Sequence, residues 1–229
     1  MSSIKQHTLI ASMLFAGWTL AAAAVESDEA SAAQKVVDDA VATLQNFESD
    51  KAQGWFRENV GKARAVFIVP RLGKGGLIVA GSGGRGVAMV KNPETGRWSQ
   101  PAFYTVGSAS IGLQVGVQES EQIFLLMTEE GMNALMGTKF QIGADGSVAA
   151  GPVGVGAQAA TTDVLSFKRS VGIFGGISAE GTVIQPDFKR NDAYYGQTTS
   201  ASEILLKNAV YNDNALALID KVAATATLK

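Results

Sequence analysis

The sequence predicts an α+β fold: a strongly curved, barrel-like antiparallel β-sheet with an N-terminal amphipathic helix, a short mid-chain helix and C-terminal helices. Three observations lead there. The hydrophobic period changes from helical to alternating after about residue 60. Glycine, 26 residues in 229, recurs inside the β-like runs. Helix-cap signals return at Thr128 and Ser200, after the β pattern has begun. Glycine weakens a strand through backbone entropy and lost packing. Its repetition there points to a sheet that bends sharply or lets another backbone come close.

The first 24 residues read as a secretory signal peptide. Lys5 precedes an apolar run, Thr8 to Ala21, and Ala22–Ala24 offer an A-x-A cleavage site before VESDE. The run of 14 residues is shorter than the ~20 needed to span a bilayer. A retained anchor is the alternative. With no cysteine for a lipoprotein anchor, the expected location is the periplasm. Residues 25–229 suit a single domain with a full core.

Ala33, Val37, Ala40, Leu44 and Phe47 are spaced as one face of an amphipathic helix over Ser31 to Phe47. Asp38 and Asp39 lie on its polar face, which suits a packing helix better than an anionic-membrane one. A short helix from Gln53 to Asn59 should exit at Gly61. ARAVFIVP, Ala63 to Pro70, reads as a strand ended by its proline. GLIVAG and GVAMVK read as two strands, and NPETG, Asn92 to Gly96, as a turn. Alternation continues from Ala102 to Gln118, with Ile111, Leu113, Val115 and Val117 on one face. IFLLM, Ile123 to Met127, is a buried strand, and Thr128 caps a helix that Gly137 stops. VGVGAQ (Val153 to Gln158), VLSFKR (Val164 to Arg169) and GISAEGTVI (Gly176 to Ile184) add strands. Ser200 to Glu203 forms a capping box opening EILLKNAV, and NALALIDKVA, from Asn214, is a last helix or a frayed tail.

The residue inventory excludes much chemistry. There is no cysteine, and the one histidine, His7, lies in the leader. Neither a Ser-His-Asp triad, a Cys-His pair nor a zinc site of imidazole or thiolate ligands is available to the mature chain. The carboxylate pairs Glu119/Glu121 and Glu129/Glu130 suit an ordinary strand and a helix N-terminus. No catalytic residue, metal set or cofactor is predicted, and the chain is read as a non-enzyme.

LIVAGSGGRGVAMV, Leu77 to Val90, contains Gly-x-Gly-x-x-Gly at Gly81, Gly83 and Gly86. A dinucleotide site also needs a helix starting within the motif and an acid about 20 residues on. Here a second β-like run follows, and no acid lies between Glu94 and Glu119. Nucleotide binding is therefore not expected. The glycines are read as a hairpin joining two strands, with Arg85 at its tip.

Charge is segregated along the chain. Residues 25–50 hold seven acids against Lys35, whereas Lys51 to Arg97 holds nine bases against Glu58 and Glu94, a net of +7. A basic block of this kind suits an anionic partner. Its charges scattering over the surface, or pairing with the acidic leader, is the alternative. Trp98, Tyr194 and Tyr195 are either core plugs or the lining of a ligand site.

Five blocks in series resemble the SYLF domain family: KARAVFIVPRLGKGGLIVAGSGGRGVAMV, RWSQPAFYTVGSASIGLQVGVQ, AAGPVGVGAQAA, FKRSVGIFGGISAEGTVI and NDAYYG…SEILL. Matching positions include Trp98, Ser99, Pro101, Gly112, Gln114, Gly116, Gly151, Pro152, Gly175, Gly181, Asn191, Tyr195, Gly196, Ile204 and Leu205, and the blocks cover about residues 34–207. The resemblance implies a lipid-binding module. Eukaryotic members bind phosphoinositide membranes, fungal and plant relatives also bind actin, and bacterial members are exported or lipid-anchored. In animal members the membrane contact is attributed to an N-terminal amphipathic helix together with basic residues. The acidic helix here departs from that pattern, and export would remove actin and phosphoinositides from reach. What carries over is the basic block: Lys62, Arg64, Lys74, Arg71 and Arg85 are candidates for anionic phospholipid head groups or a membrane surface. An envelope protein-interaction or assembly module is the alternative. Neither nucleic acid nor nucleotide is an expected partner.

Overall fold

The computed structural model describes residues 4–75, 79–111, 118–141, 148–150, 163–170 and 182–228. Helix α1 (Ile4–Ser49) is followed by a 3-10 turn and α2 (Gly54–Val60). The strands are β1 (Ala65–Gly75), β2 (Val79–Val90), β3 (Ala102–Ile111), β4 (Gln118–Leu126), β5 (Phe140–Gln141), β6 (Val148–Ala150), β7 (Val164–Ser170) and β8 (Val183–Pro186). Helix α3 (Glu129–Ala134) follows β4, while α4 (Phe188–Tyr195), α5 (Ala201–Leu205) and α6 (Leu216–Thr225) follow β8.

The strands form one sheet in the order β5-β8-β3-β2-β1-β4-β7-β6, curled into a half-barrel. Every pairing is antiparallel except β6 with β7 at one edge. The expected curved antiparallel sheet in an α+β fold is the observed one. Both of its faces are apolar. On β2, Val87 and Met89 enter one core while Ala88 and Val90 enter the other. The first core is covered by α1, α2, α4 and α6, the second by α3 and α5.

Ala33, Val37, Ala40, Leu44 and Phe47 of α1 are at most 1% exposed, so the predicted stripe is a packing face against the sheet. Burying Leu44 and Phe47 contributes roughly 1.5–3 kcal/mol each. Local cap chemistry also appears as read. The Thr128 hydroxyl accepts the Gly131 N–H. Ser200 and Glu203 complete a reciprocal capping box. The last segment is a packed helix, with Ala215, Leu218 and Val222 buried.

Three expectations are corrected. Pro70 does not end its strand: β1 is the central strand and runs on to Gly75. Its register shifts between Ile68 and Arg71 on the β2 side and between Val69 and Leu72 on the β4 side. A bulge there leaves the proline outside the regular ladder. The glycine run is no hairpin tip either. Gly81, Gly83, Gly84 and Gly86 lie inside β2, and Arg85 is paired on both sides, with Arg71 and with Thr105. Finally, the helix predicted as EILLKNAV ends at Leu205, and Asn208 turns with φ 49°. The expected strand at 153–158, the 112–117 part of the alternating run and residues 176–181 lie outside the described residues.

Candidate functional site

On the sheet face that carries α1, polar side chains form a row across six strands. Arg169 on β7 opposes Glu121 on β4, Arg71 on β1 opposes Arg85 on β2, and Arg85 opposes Thr105, which opposes Gln185 on β8. Glu121 stands level with the β1 bulge, between Ser120 and Gln122, which pair with Leu72 and Val69. Helix α1 crosses this row and supplies partners to it. Thr43 and Asn46 donate to Glu121, and Asp39 meets Arg71.

The three arginines of the row differ in how tightly they are held. Arg169 Nη1 lies 2.9 Å from Glu121 and its Nε 3.4 Å from Asp50. Arg71 Nε lies 3.7 Å from Asp39, and Arg85 Nε 3.4 Å from Asp187. Their side chains stay 64% and 56% exposed. Exposed pairs of this length contribute about 0–1 kcal/mol. Two like charges directly opposite on neighbouring strands repel, and the two aspartates offset that repulsion. An incoming anion can do the same from the solvent side.

The sequence-predicted cations fall into two places. Lys74 follows Arg71 on β1, its backbone opposite Ser82 and Gln118. Lys62 and Arg64 precede β1 at its other end, both exposed. Seven extended residues, about 23 Å at 3.3 Å each, separate Arg64 from Arg71. Thus Arg71 and Arg85 oppose each other and Lys74 lies three residues further along β1, whereas Lys62 and Arg64 stand apart. Sequence reading missed the partners Asp39 and Asp187, which α1 packing and the start of α4 bring in, and the neighbours Thr105 and Gln185, which strand register brings in.

Other acids of α1, and Asp50 just after it, pair outside the basic block. Glu29 binds Lys189 and Arg190, Glu48 binds Lys221 and Thr225, and Asp50 binds Arg169. Hydrogen bonds from Lys189 and then Arg190 lower the Glu29 carboxyl below its ordinary 4.5. A depressed carboxylate stabilises the fold above its unfolded pKa, and the gain is lost as pH falls through the folded value. We therefore expect wild type and Glu29→Gln to differ in melting temperature at pH 7 and to converge well below pH 4.5. Equal melting at pH 7 would show the pair to be energetically silent.

Trp98 and Tyr194 are 7% and 6% exposed within the core beneath α1. The Tyr195 hydroxyl donates to the Pro101 carbonyl at 2.6 Å. Burial pushes the phenols of both Tyr194 and Tyr195 well up. Gly196 closes α4 in the left-handed conformation, φ 66°. Tyr194, edge-on to Phe103, and Tyr195 knit α4 to the start of β3. Among the described residues, no group of three or more His, Cys, Asp or Glu is placed to hold a metal ion, and no helix is long and apolar enough to cross a membrane.

Residues 107–225 match the Ysc84 family, described as "Las17-binding protein actin regulator". Protein YSC84 of Saccharomyces cerevisiae is 32% identical over 153 residues, covering 63% of this chain and 32% of that protein. LAS seventeen-binding protein 3 of the same organism is 31% identical, covering 63% of this chain and 33% of its own length. The human SH3 domain-containing YSC84-like protein 1 is 26% identical over 152 residues, covering 64% of this chain and 44% of that protein. The chain therefore spans a third to less than half of these relatives' lengths. No solved structure matches.

Proposed function

The chain belongs to the Ysc84, or SYLF, family, and from that premise we propose that it is an exported, non-enzymatic module binding anionic phospholipid head groups at a membrane surface. The observation that carries this reading is the exposed Arg71–Arg85 cross-strand pair. Arginine forks take phosphate oxygens two at a time, and two forks on adjacent strands converge on one head group. Each well-placed cation near an anionic surface contributes about 1 kcal/mol. Asp39 and Asp187 keep the empty pair neutralised and exchange places with the lipid phosphate. Export rests on the charge, apolar run and alanines of residues 5–24.

Vesicle co-sedimentation tests it. The mature protein should pellet with phosphatidylglycerol or cardiolipin vesicles at low salt, and not with phosphatidylcholine. Arg71→Ala/Lys74→Ala/Arg85→Ala should weaken binding about tenfold or more, given the per-cation contribution. No pelleting at low salt, or an unaffected triple variant, overturns the proposal. A second reading, actin binding, is favoured by the family's description as an actin regulator. Co-sedimentation with filamentous actin and none with vesicles would select it.

A further inference from the structure

The end of the sandwich where β1 begins and β2 stops holds cations of a different kind. Arg64 and Lys91 lie side by side, the Lys91 N–H bonded to the Arg64 carbonyl. Lys91 in turn bridges to Trp98, and the Asn92 N–H bonds to the Arg97 carbonyl. Lys62 hangs from the same end, its ammonium bonded to the Asn59 side chain. At about 4.8 Å between adjacent strands, three neighbouring segments thus bring Arg64, Lys91 and Arg97 to one edge. Among the described residues none of these four cations has a carboxylate partner, unlike Arg71 and Arg85.

An aromatic residue stands beside Arg97. Tyr211 is 64% exposed, the most exposed of the large hydrophobic side chains described. The next residue, Asn212, binds Gln100 through its N–H and the Tyr194 carbonyl through its side chain, so the chain at Tyr211 is fixed. The Tyr211 hydroxyl is bonded to Asp213, and Arg97 is close enough to act on it. Glu58 and Glu94 are the acids on the neighbouring segments. A tyrosine with a wet tip and an apolar ring, beside a cation that has no carboxylate partner among the described residues, has the composition of an interfacial anchor.

We propose that Lys62, Arg64, Lys91 and Arg97, with Tyr211 beside Arg97, form a second contact for an anionic lipid bilayer, at the sheet end remote from Lys74. The inference rests on the reading that the domain binds anionic lipid surfaces. It adds the orientation: this end faces the bilayer, with the tyrosine ring at head-group level.

The cysteine-free sequence makes the test clean. Tyr211→Cys, labelled with an environment-sensitive nitrobenzoxadiazole group, should brighten with phosphatidylglycerol vesicles and not with phosphatidylcholine. Lys91→Glu/Arg97→Glu should weaken vesicle binding at least fivefold, and Glu94→Lys should strengthen it, with unchanged circular dichroism in each. If the label stays dark while vesicles still pellet the protein through Arg71 and Arg85, this contact is overturned and the head-group reading stands. If wild type pellets with no vesicle, the head-group reading itself falls and takes this contact with it. Brightening with nucleic acid or an acidic protein but not with vesicles assigns the end to another polyanion and likewise overturns the bilayer.

Discussion

Gly86→Ala is expected to lower the melting temperature by roughly 6–12 °C, an overpacking cost of about 3 kcal/mol in a domain of this size. A Cβ at Gly86 would lie 2.3 Å from the Ile68 carbonyl oxygen and 2.9 Å from the Phe67 ring. Ile68 sits at the register shift of β1, held between β2 and β4, and has no room to withdraw. A Cβ at Gly84 would lie 2.3 Å from the Arg71 carbonyl oxygen, on the far side of the same bulge, so Gly84→Ala should cost a similar amount. Gly83 provides the contrast: the nearest atom to its Cβ is 3.9 Å away, and Gly83→Ala should change the melt by a degree or two. Thermal melts of the three variants decide the matter. Equal damage at Gly83 and Gly86 would show that backbone approach is not why the glycines are there.

Asn191→Leu should lower stability by about 2–4 kcal/mol, read as a shift in urea midpoint. Asn191 is fully buried. Its Oδ1 accepts the Phe103 N–H at 2.8 Å, and its Nδ2 donates to the Phe103 carbonyl at 3.1 Å. The β3–β8 ladder begins only at Tyr104. The asparagine amide therefore takes the place of a strand neighbour for one residue of β3. Leucine would leave a buried N–H with no acceptor, which costs about 1–3 kcal/mol by itself. Tyr195→Phe, which removes a single bond to Pro101, should cost nearer 1 kcal/mol. A midpoint for Asn191→Leu within error of wild type would refute this account of Asn191.

The parts legible in the sequence were those whose causes are local. The stripe from Ala33 to Phe47, the Thr128 cap and the Ser200–Glu203 box each depend on residues within a few turns. The sheet was legible as a kind of structure, but its bulge was not. Pro70 reads as a strand end because the missing N–H is visible in sequence, whereas the register shift that accommodates it belongs to β2 and β4. The glycines signalled a bend or a close approach, yet which one required the Ile68 and Arg71 carbonyls. For the site, the cations could be seen as a block, but their partition could not. Asp39 and Asp187 reach Arg71 and Arg85 from distant segments, while Arg64, Lys91 and Arg97 converge through strand pairing.

The contacts between α1 and the chain's last helices bear on the order of assembly. Glu29 reaches Lys189 and Arg190, and Glu48 reaches Lys221 and Thr225, across sequence separations of 160 to 177 residues. The sheet, by contrast, grows outward from the β1–β2 pair, adding β3 and β4 on its two sides and then β8 and β7. Contacts so distant in sequence form late, because loop closure must precede any gain from them. Helix α1 is thus made first and docked last, its apolar stripe without its full cover until α6 exists. A nascent chain would remain pliable until α6 emerges.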